Sequence, residues 1–382
     1  MSNKERKEAR YQRRKQKREE HKEQFLAEMP SYDEIFTFEH LWESFWLCRK
    51  EVGWKPSIQI YQQNLSTELV KLLHDLYSEE GFQSRGFIEF NICERGKMRH
   101  IKSVDIRERV VQRCFCDYYL VPLLTRNLIY DNGASLKDKG ITFSLNRLKE
   151  HLEQYYEKYG TNEGYILLFD FSNFFGSIDH EELYKIVDAL IQDEKCKKLY
   201  HHLVDAFGDV GLGLGSQVSQ ISAVAFPNKI DQILANYPNT ESNARYMDDG
   251  YVILHTKEAA IECMNILLEE AAKLKITLNP KKIKICKLSR SFIYLKKRFF
   301  LNENGQAVLR LNRNNIYKHR RRVKKLFGLV DEGRLIPYDI ELCHRSWYGQ
   351  IIKRFKNRKS IYDIDQQIRR LLDEYNSNNA DN

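Results

Sequence analysis

The chain has 382 residues, 42% of them hydrophobic and 12% aromatic, and a formal net charge of +9. That length and composition describe globular material, one large domain or two to three smaller ones, with ample chain for a core. The positive balance points to a polyanionic partner but carries no information about fold. Eight cysteines include no CxxC pair and no zinc-like spacing, so they read as reduced thiols of a cytoplasmic protein. The basic N-terminus lacks the apolar core of a signal peptide, and no stretch is apolar enough to span a membrane.

In chain order, "KERKEARYQRRKQKREEHKEQ" (residues 4–24) alternates Lys and Arg with Glu and has no apolar stripe. It predicts an exposed helix or a disordered arm over residues 1–30, either solvated or laid along nucleic acid. Residues 32–77 have helical periodicity, with Phe36, Phe38, Leu41, Phe45 and Trp46 as core candidates. "GFIEFNICERGKMRHIKSVD" (residues 86–105) predicts a hairpin, and "IRERVVQRCFCDYYLVPLL" returns to helical periodicity.

"GYILLFDFSNFFGSIDHEEL" opens with six residues, Tyr165 to Asp170, that predict a buried strand ending on a carboxylate. Ser177 and Asp179 are helix-cap types, with a helix expected from Glu181 to Leu190. "ARYMDDGYVIL" places Asp248 and Asp249 between two apolar runs. Side chains alternate along a strand, so adjacent aspartates reach one site only where the chain turns. Gly250 is expected to supply the turn, with Arg245–Met247 and Tyr251–Leu254 as the arms and Asp248 beside Asp170. Three clustered carboxylates repel one another strongly. Magnesium, which prefers carboxylate oxygens plus substrate phosphates, relieves that repulsion. Two such ions can activate an attacking hydroxyl and stabilise a departing pyrophosphate.

Beyond residue 301 the chain is basic and helical. Ile316, Val323, Leu326, Phe327, Trp347, Tyr348, Ile351 and Phe355 form the apolar faces, opposite dense Lys and Arg. Such helices suit either a clamp on a nucleic-acid duplex or an ordinary surface bundle.

Together these motifs resemble the reverse transcriptases. "YMDD" and "FDFSNFF" match that family's carboxylate motifs. "GLGLGSQVSQISAVAFPNKID" resembles its glycine motif, "LNPKKIKI" its lysine motif, "SFIYLKKRFF" its primer-grip hairpin and "GKMRHIKSVDIRERVVQ" its basic fingers segment. "YDNGASLKDKGITFSLNRL" is similar to a segment shared by bacterial group II intron and retroelement enzymes. The resemblance runs from about residue 85 to 355. Most group II intron enzymes read QG followed by SP in the glycine motif. Here Leu214, Gly215, Ser219 and Gln220 give an LG…SQ form closer to diversity-generating retroelement and phage-defence enzymes. In the primer grip, Tyr294, Leu295 and Lys296 replace the usual FLG.

The resemblance implies an α+β right-hand polymerase: an arm (1–30), fingers and palm (31–301) and a helical basic thumb (302–382). It implies an RNA-directed DNA polymerase that adds dNTPs to a primer 3′-hydroxyl with two Mg2+ or Mn2+ ions. With the sequence ending soon after a thumb-sized segment, no endonuclease or RNase H domain is expected. Asp170, Phe171, Asp248 and Asp249 are the implied metal site, with Lys282 protonating the pyrophosphate and Lys281 and Lys284 as its rivals. Lys97, Arg99 and Arg107 are the triphosphate candidates, with Arg107 and Arg109 alternatively pairing with Asp105 or Glu108. Phe171 and Phe175 belong to the nucleotide site, Phe175 as the aromatic beneath the sugar. Gly215 lets a base pair or template backbone pass close to the main chain, begins the next helix, or does both. Gln220 either contacts template or caps that helix. Implied partners are an RNA template, such as a dedicated non-coding RNA, a DNA primer or product, dNTPs, and a protein partner or second copy. Two rival readings are a template-independent or protein-primed DNA polymerase and a non-catalytic RNA-binding module.

Overall fold

The computed structural model describes residues 3–94, 97–352 and 359–380. The fold is α+β, with every strand pair antiparallel among the described residues. The chain divides into two compact units, one of Met1–His151 with Glu163–Lys287, the other of Leu152–Asn162 with Leu288–Asn382.

The first unit is built on a four-stranded sheet. After the hairpin of β1 (Ile88–Glu94) and β2 (Lys97–Ser103) come β3 (Tyr165–Asp170), β4 (Thr240–Tyr246), β5 (Asp249–Leu254) and β6 (Lys284–Lys287), ordered β4-β5-β3-β6. The continuous apolar run of β3 is buried on both faces. Leu167, Phe169, Val252 and Leu254 join the main core with Ala260, Cys263 and Leu267 of the helix Lys257–Lys273. On the opposite face the hydroxyl of Tyr251 meets Nδ1 of His151 at 2.9 Å.

The helical region before β1 forms as its periodicity predicts. Phe36, Leu41 and Phe45 are buried, and the helix Phe38–Arg49 packs against the helix Ile106–Phe115. Trp46 departs from the expectation. It lies on the outer face of its helix, 40% exposed, with the Arg49 guanidinium 5.4 Å from its ring centre. Residues 3–27 form a single helix, exposed over residues 10–24 and fixed at its C-terminal end, where Arg126 stacks on Phe25 at 4.1 Å and donates to the His21 carbonyl.

Between β3 and β4 the caps are partly as expected. Asp179 accepts from the backbone N of Glu182 and starts the helix His180–Val187, shorter than predicted. Ser177 caps nothing; its hydroxyl donates to the carbonyls of Ser172 and Phe174.

The second unit holds the sheet β7 (Phe292–Tyr294), β8 (Lys297–Leu301) and β9 (Ala307–Arg310), followed by the helices Arg313–Asp331, Pro337–Ile352 and Lys359–Ala380. Val323, Ile340, Ile364, Ile368 and Leu372 form its helical core, with Ile316, Leu326, Phe327 and Trp347 packed against it. Phe355 lies outside the described residues. The β7–β8 turn places Leu295 (φ 45°) and Lys296 (φ 64°) in the left-handed region.

Candidate active site

The carboxylates of Asp170, Asp248 and Asp249 come together where the sheet's central strands end. An oxygen from each lies within 4.8 Å of the other two. Asp170 is the last residue of β3 and faces Asp249, the first of β5, across the ladder. The connection from β4 to β5 is a two-residue turn closed by the Tyr246–Asp249 pair. Met247 (φ 54°) and Asp248 form that turn. Gly250, expected to make it, is instead a strand residue paired with both Arg245 and Phe169. Its lack of a side chain answers to packing, because a Cβ there would lie 2.2 Å from Cζ of Phe169.

Phe171 continues past β3 through the site. Its N donates to the Asp248 carbonyl at 3.1 Å, and its ring is buried. Asn279 binds Asp170 twice, through its own N to the carbonyl (2.7 Å) and through Nδ2 to Oδ1 (3.3 Å). Lys282 donates from Nζ to Oδ2 of Asp170 and lies 3.9 Å from Asp249. Of the three rival lysines, Lys282 is the one paired with the triad. Lys284 starts β6, and the Lys281 backbone N caps onto Asn279 Oδ1.

The electrostatics follow from this crowding. Burial, then the charge of Asp170, raises Asp248 above the usual carboxylate range. Burial and the charge of Asp248 push Asp249 up to about 7. Burial pulls the Lys282 ammonium down, but its hydrogen bond to Asp170 and the neighbouring carboxylates outweigh that and raise it. The donor set is all carboxylate oxygen, close enough together to share a divalent cation, which is the chemistry magnesium or manganese accepts.

The other predicted residues are distributed around this cluster. Asn173 is left-handed (φ 44°) and starts a short helical turn, Phe174–Ser177. Phe174 is buried and stacked on Phe171 at 5.4 Å, while Phe175 is only half-buried. Gly215 (φ 117°) immediately precedes Ser216, whose hydroxyl caps the helix Gln217–Ala225 by accepting from the N of Ser219. Gly215 therefore sits at a helix start, and a Cβ there would lie 3.1 Å from the Lys102 carbonyl of β2. Gln220 is exposed on that helix and is not its cap. Gln112 ties the turn to the helix Ile106–Phe115, accepting at Oε1 from Ser216 Oγ (3.0 Å) and Gln217 N (3.1 Å).

Arg99 is exposed on β2 opposite Ile92; the side chain of Lys97 lies outside the described residues. Arg107 is buried and differently engaged. It is ion-paired with Asp75, bonded to the Gln83 carbonyl at 3.2 Å and stacked on Phe82. Arg109 donates to Ser103 Oγ and the Val104 carbonyl. Neither arginine takes the expected partner: Asp105 is occupied as the cap of the helix Ile106–Phe115, accepting from Glu108 N, and Glu108 binds Gln112.

Sequence reasoning passed over Asn279, Arg245 and Asp231. Asn279 stood in the quoted lysine motif, one residue before a proline that draws the eye to the turn rather than to its ligand. Arg245 was one residue of an expected hairpin arm, and Asp231 closed the quoted glycine motif with no role of its own.

The chain matches the family described as reverse transcriptase (RNA-dependent DNA polymerase) over residues 85–298, more than half its length. It belongs to the reverse transcriptases, nucleotidyltransferases that build DNA on an RNA template. No curated protein matches the chain. The matched segment contains the triad, Lys282, the β1–β2 hairpin and the Gly215 turn.

Proposed function

We propose that the chain extends a DNA primer along an RNA template with two magnesium ions held by Asp170, Asp248 and Asp249, manganese substituting. The observation that carries this reading is the convergence of three carboxylates within 4.8 Å, one of them paired with Lys282. When bound, the ions would lower the pKa of the primer 3′-hydroxyl and offset charge on the departing pyrophosphate. Phe171, with its ring buried, contributes to their site through its main chain. Lys282, held protonated by its carboxylate neighbours, carries at Nζ the proton the pyrophosphate needs.

In this reading residues 31–301 act as fingers and palm and residues 302–382 as thumb. Lys97 and Arg99 on the hairpin grip the triphosphate, and Arg107 secures the hairpin's base through Asp75. Phe175 lies beneath the incoming sugar, while Gly215 and Gln220 face the template. Lys318, Arg320, Arg321, Arg322, Lys324 and Lys325, exposed on the helix Arg313–Asp331, meet duplex phosphates. The LG…SQ glycine motif supports a retroelement or phage-defence setting with a structured partner RNA, which the DNA flanking the gene would encode.

The deciding experiment incubates purified protein with a defined RNA template, a DNA primer, labelled dNTPs and Mg2+, and sequences the product. Product complementary to the template is expected. DNA unrelated to it would replace this reading with untemplated or protein-primed synthesis, and no incorporation would leave an RNA-binding module.

A further inference from the structure

Arg245 is the largest fully buried side chain among the described residues, and Asp231, on the helix Asn228–Asn236, is 1% exposed. A guanidinium is costly to bury unless its donors are matched. Here they are. Nε lies 2.9 Å from both Asp231 oxygens, and Nη2 lies 2.8 Å from Oδ2 of the same carboxylate. Nη2 also donates to the Val224 carbonyl at 2.7 Å. Nη1 donates to the Met247 carbonyl at 2.9 Å.

That last bond reaches the active site. The Met247 carbonyl belongs to the peptide that joins Met247 to Asp248, and Met247 is in the left-handed region (φ 54°), which a methionine adopts only under constraint. The main chain of Arg245 is itself anchored, its N donating to the Asp131 carbonyl (3.3 Å) and its carbonyl accepting from Gly133 N (3.0 Å). We propose that Arg245, oriented by Asp231, is a positioning residue for catalysis: it fixes the plane of the Met247–Asp248 peptide and so aims the Asp248 carboxylate at Asp170. A lysine cannot replace it, since one ammonium does not span Asp231, Val224 and Met247 with a planar fork. The inference rests on reading the triad as the metal site.

The test uses two variants of the full chain. Arg245→Lys keeps the charge and loses the fork. Asp231→Leu with Arg245→Met replaces the buried pair by apolar groups of similar volume, a change that buried pairs often tolerate. For each, melting temperature, kcat, KM for dNTP and Mn2+ binding to the nucleic-acid-free protein (by water-proton relaxation) are measured. Misaimed carboxylates lower kcat by about tenfold or more while leaving KM for dNTP within about twofold, because reacting atoms tolerate little displacement. Mn2+ affinity falls in parallel, including in whichever variant melts near the wild-type temperature. Wild-type kcat and Mn2+ affinity in either folded variant overturns the proposal and leaves the pair a packing element. Asp248→Asn is measured alongside; if it kept Mn2+ binding and synthesis, the fault would lie in the reading of the triad and not in the pair.

Discussion

The ring of Phe169 fills the space that a side chain on Gly250 would need, with Cζ 2.2 Å from where that Cβ would sit. The two residues face each other across β3 and β5, one position inside the Asp170–Asp249 pair. Gly250→Ala therefore has to push apart the strands that carry the carboxylates or drive Phe169 from its place. Overpacking of this kind costs about 1–3 kcal/mol. Thermal unfolding should show the loss, with a lower kcat beside it. Adding Phe169→Leu should recover most of the stability; no recovery would mean that the glycine serves something other than this ring.

Gly250 also marks where sequence reading stopped. The strand Tyr165–Asp170, the flanking hairpin and the meeting of its aspartates were legible, because an apolar run ending on a carboxylate admits few arrangements. The turn was placed at residues 248–250 instead of 247–248, since Met247 occupies a conformation usually left to glycine, asparagine or aspartate. Trp46 read as core because periodicity marks an apolar face without saying whether anything covers it. Arg107 looked like a phosphate ligand because its partner, Asp75, lies thirty-two residues away in sequence. Long-range pairs such as this one and Asp231–Arg245 leave no local signal.

The triad predicts linked pH and metal behaviour. Burial and mutual repulsion raise Asp248, and lift Asp249 to about 7, so the folded protein holds protons there that the unfolded chain releases near the ordinary 3.8. The stability contributed is present below that value and is lost as pH rises toward 7. A bound divalent cation opposes the loss. Mg2+ should therefore raise the melting temperature more at pH 8 than at pH 5. Asp170→Asn or Asp248→Asn should reduce that metal-induced rise and cut DNA synthesis by about 10²-fold or more, as loss of a transition-state electrostatic contact does. Equal metal effects at both pH values would contradict the assignment.

In the second unit, His319, His344 and Asp365 form a buried chain, with contacts of 2.9 Å between the imidazoles and 2.9 Å from His344 to the carboxylate. His319 also lies flat on Trp347, ring centres 4.0 Å apart. Burial, then the charges of His344 and Arg322, push His319 down to about 4. Unfolded, it titrates near 6.5 and takes up a proton that the folded state refuses. Stability from this group is thus full above pH 6.5 and lost as pH falls toward 4, about 3 kcal/mol in all. Denaturant unfolding at pH 7 and pH 5 should show the drop, and His319→Gln should flatten it.

The N-terminal helix predicts a salt effect. Its exposed Lys and Arg would each release counterions on contact with phosphate, steepening the fall of RNA affinity with salt. Deleting residues 1–24 should flatten that slope while extension of a short primer–template continues. An unchanged slope would make the helix a solvated appendage.

The sugar of the incoming nucleotide tests Phe175. Phe174 is committed to the core, stacked on Phe171, whereas Phe175 is half-buried and lies five residues beyond Asp170. Its carbonyl is fixed by Leu212 N at 2.6 Å, so the backbone beneath the ring is anchored. In the proposed reading this aromatic lies under the sugar, where it would leave no room for a 2′-hydroxyl, and a ribonucleotide would have to shift its phosphate away from the attacking oxygen. Misalignment of that kind is steeply penalised, on the order of 10²-fold for about 1 Å. Phe175→Ala should therefore raise ribonucleotide incorporation relative to dNTP, with little loss of stability. Phe174→Ala should do the reverse, costing about 3–5 kcal/mol as a core truncation and leaving the ratio unchanged. Single-nucleotide extension with each triphosphate measures the ratio, and thermal unfolding separates the two outcomes. If Phe175→Ala left the ratio where it was, sugar discrimination would have to come from another residue.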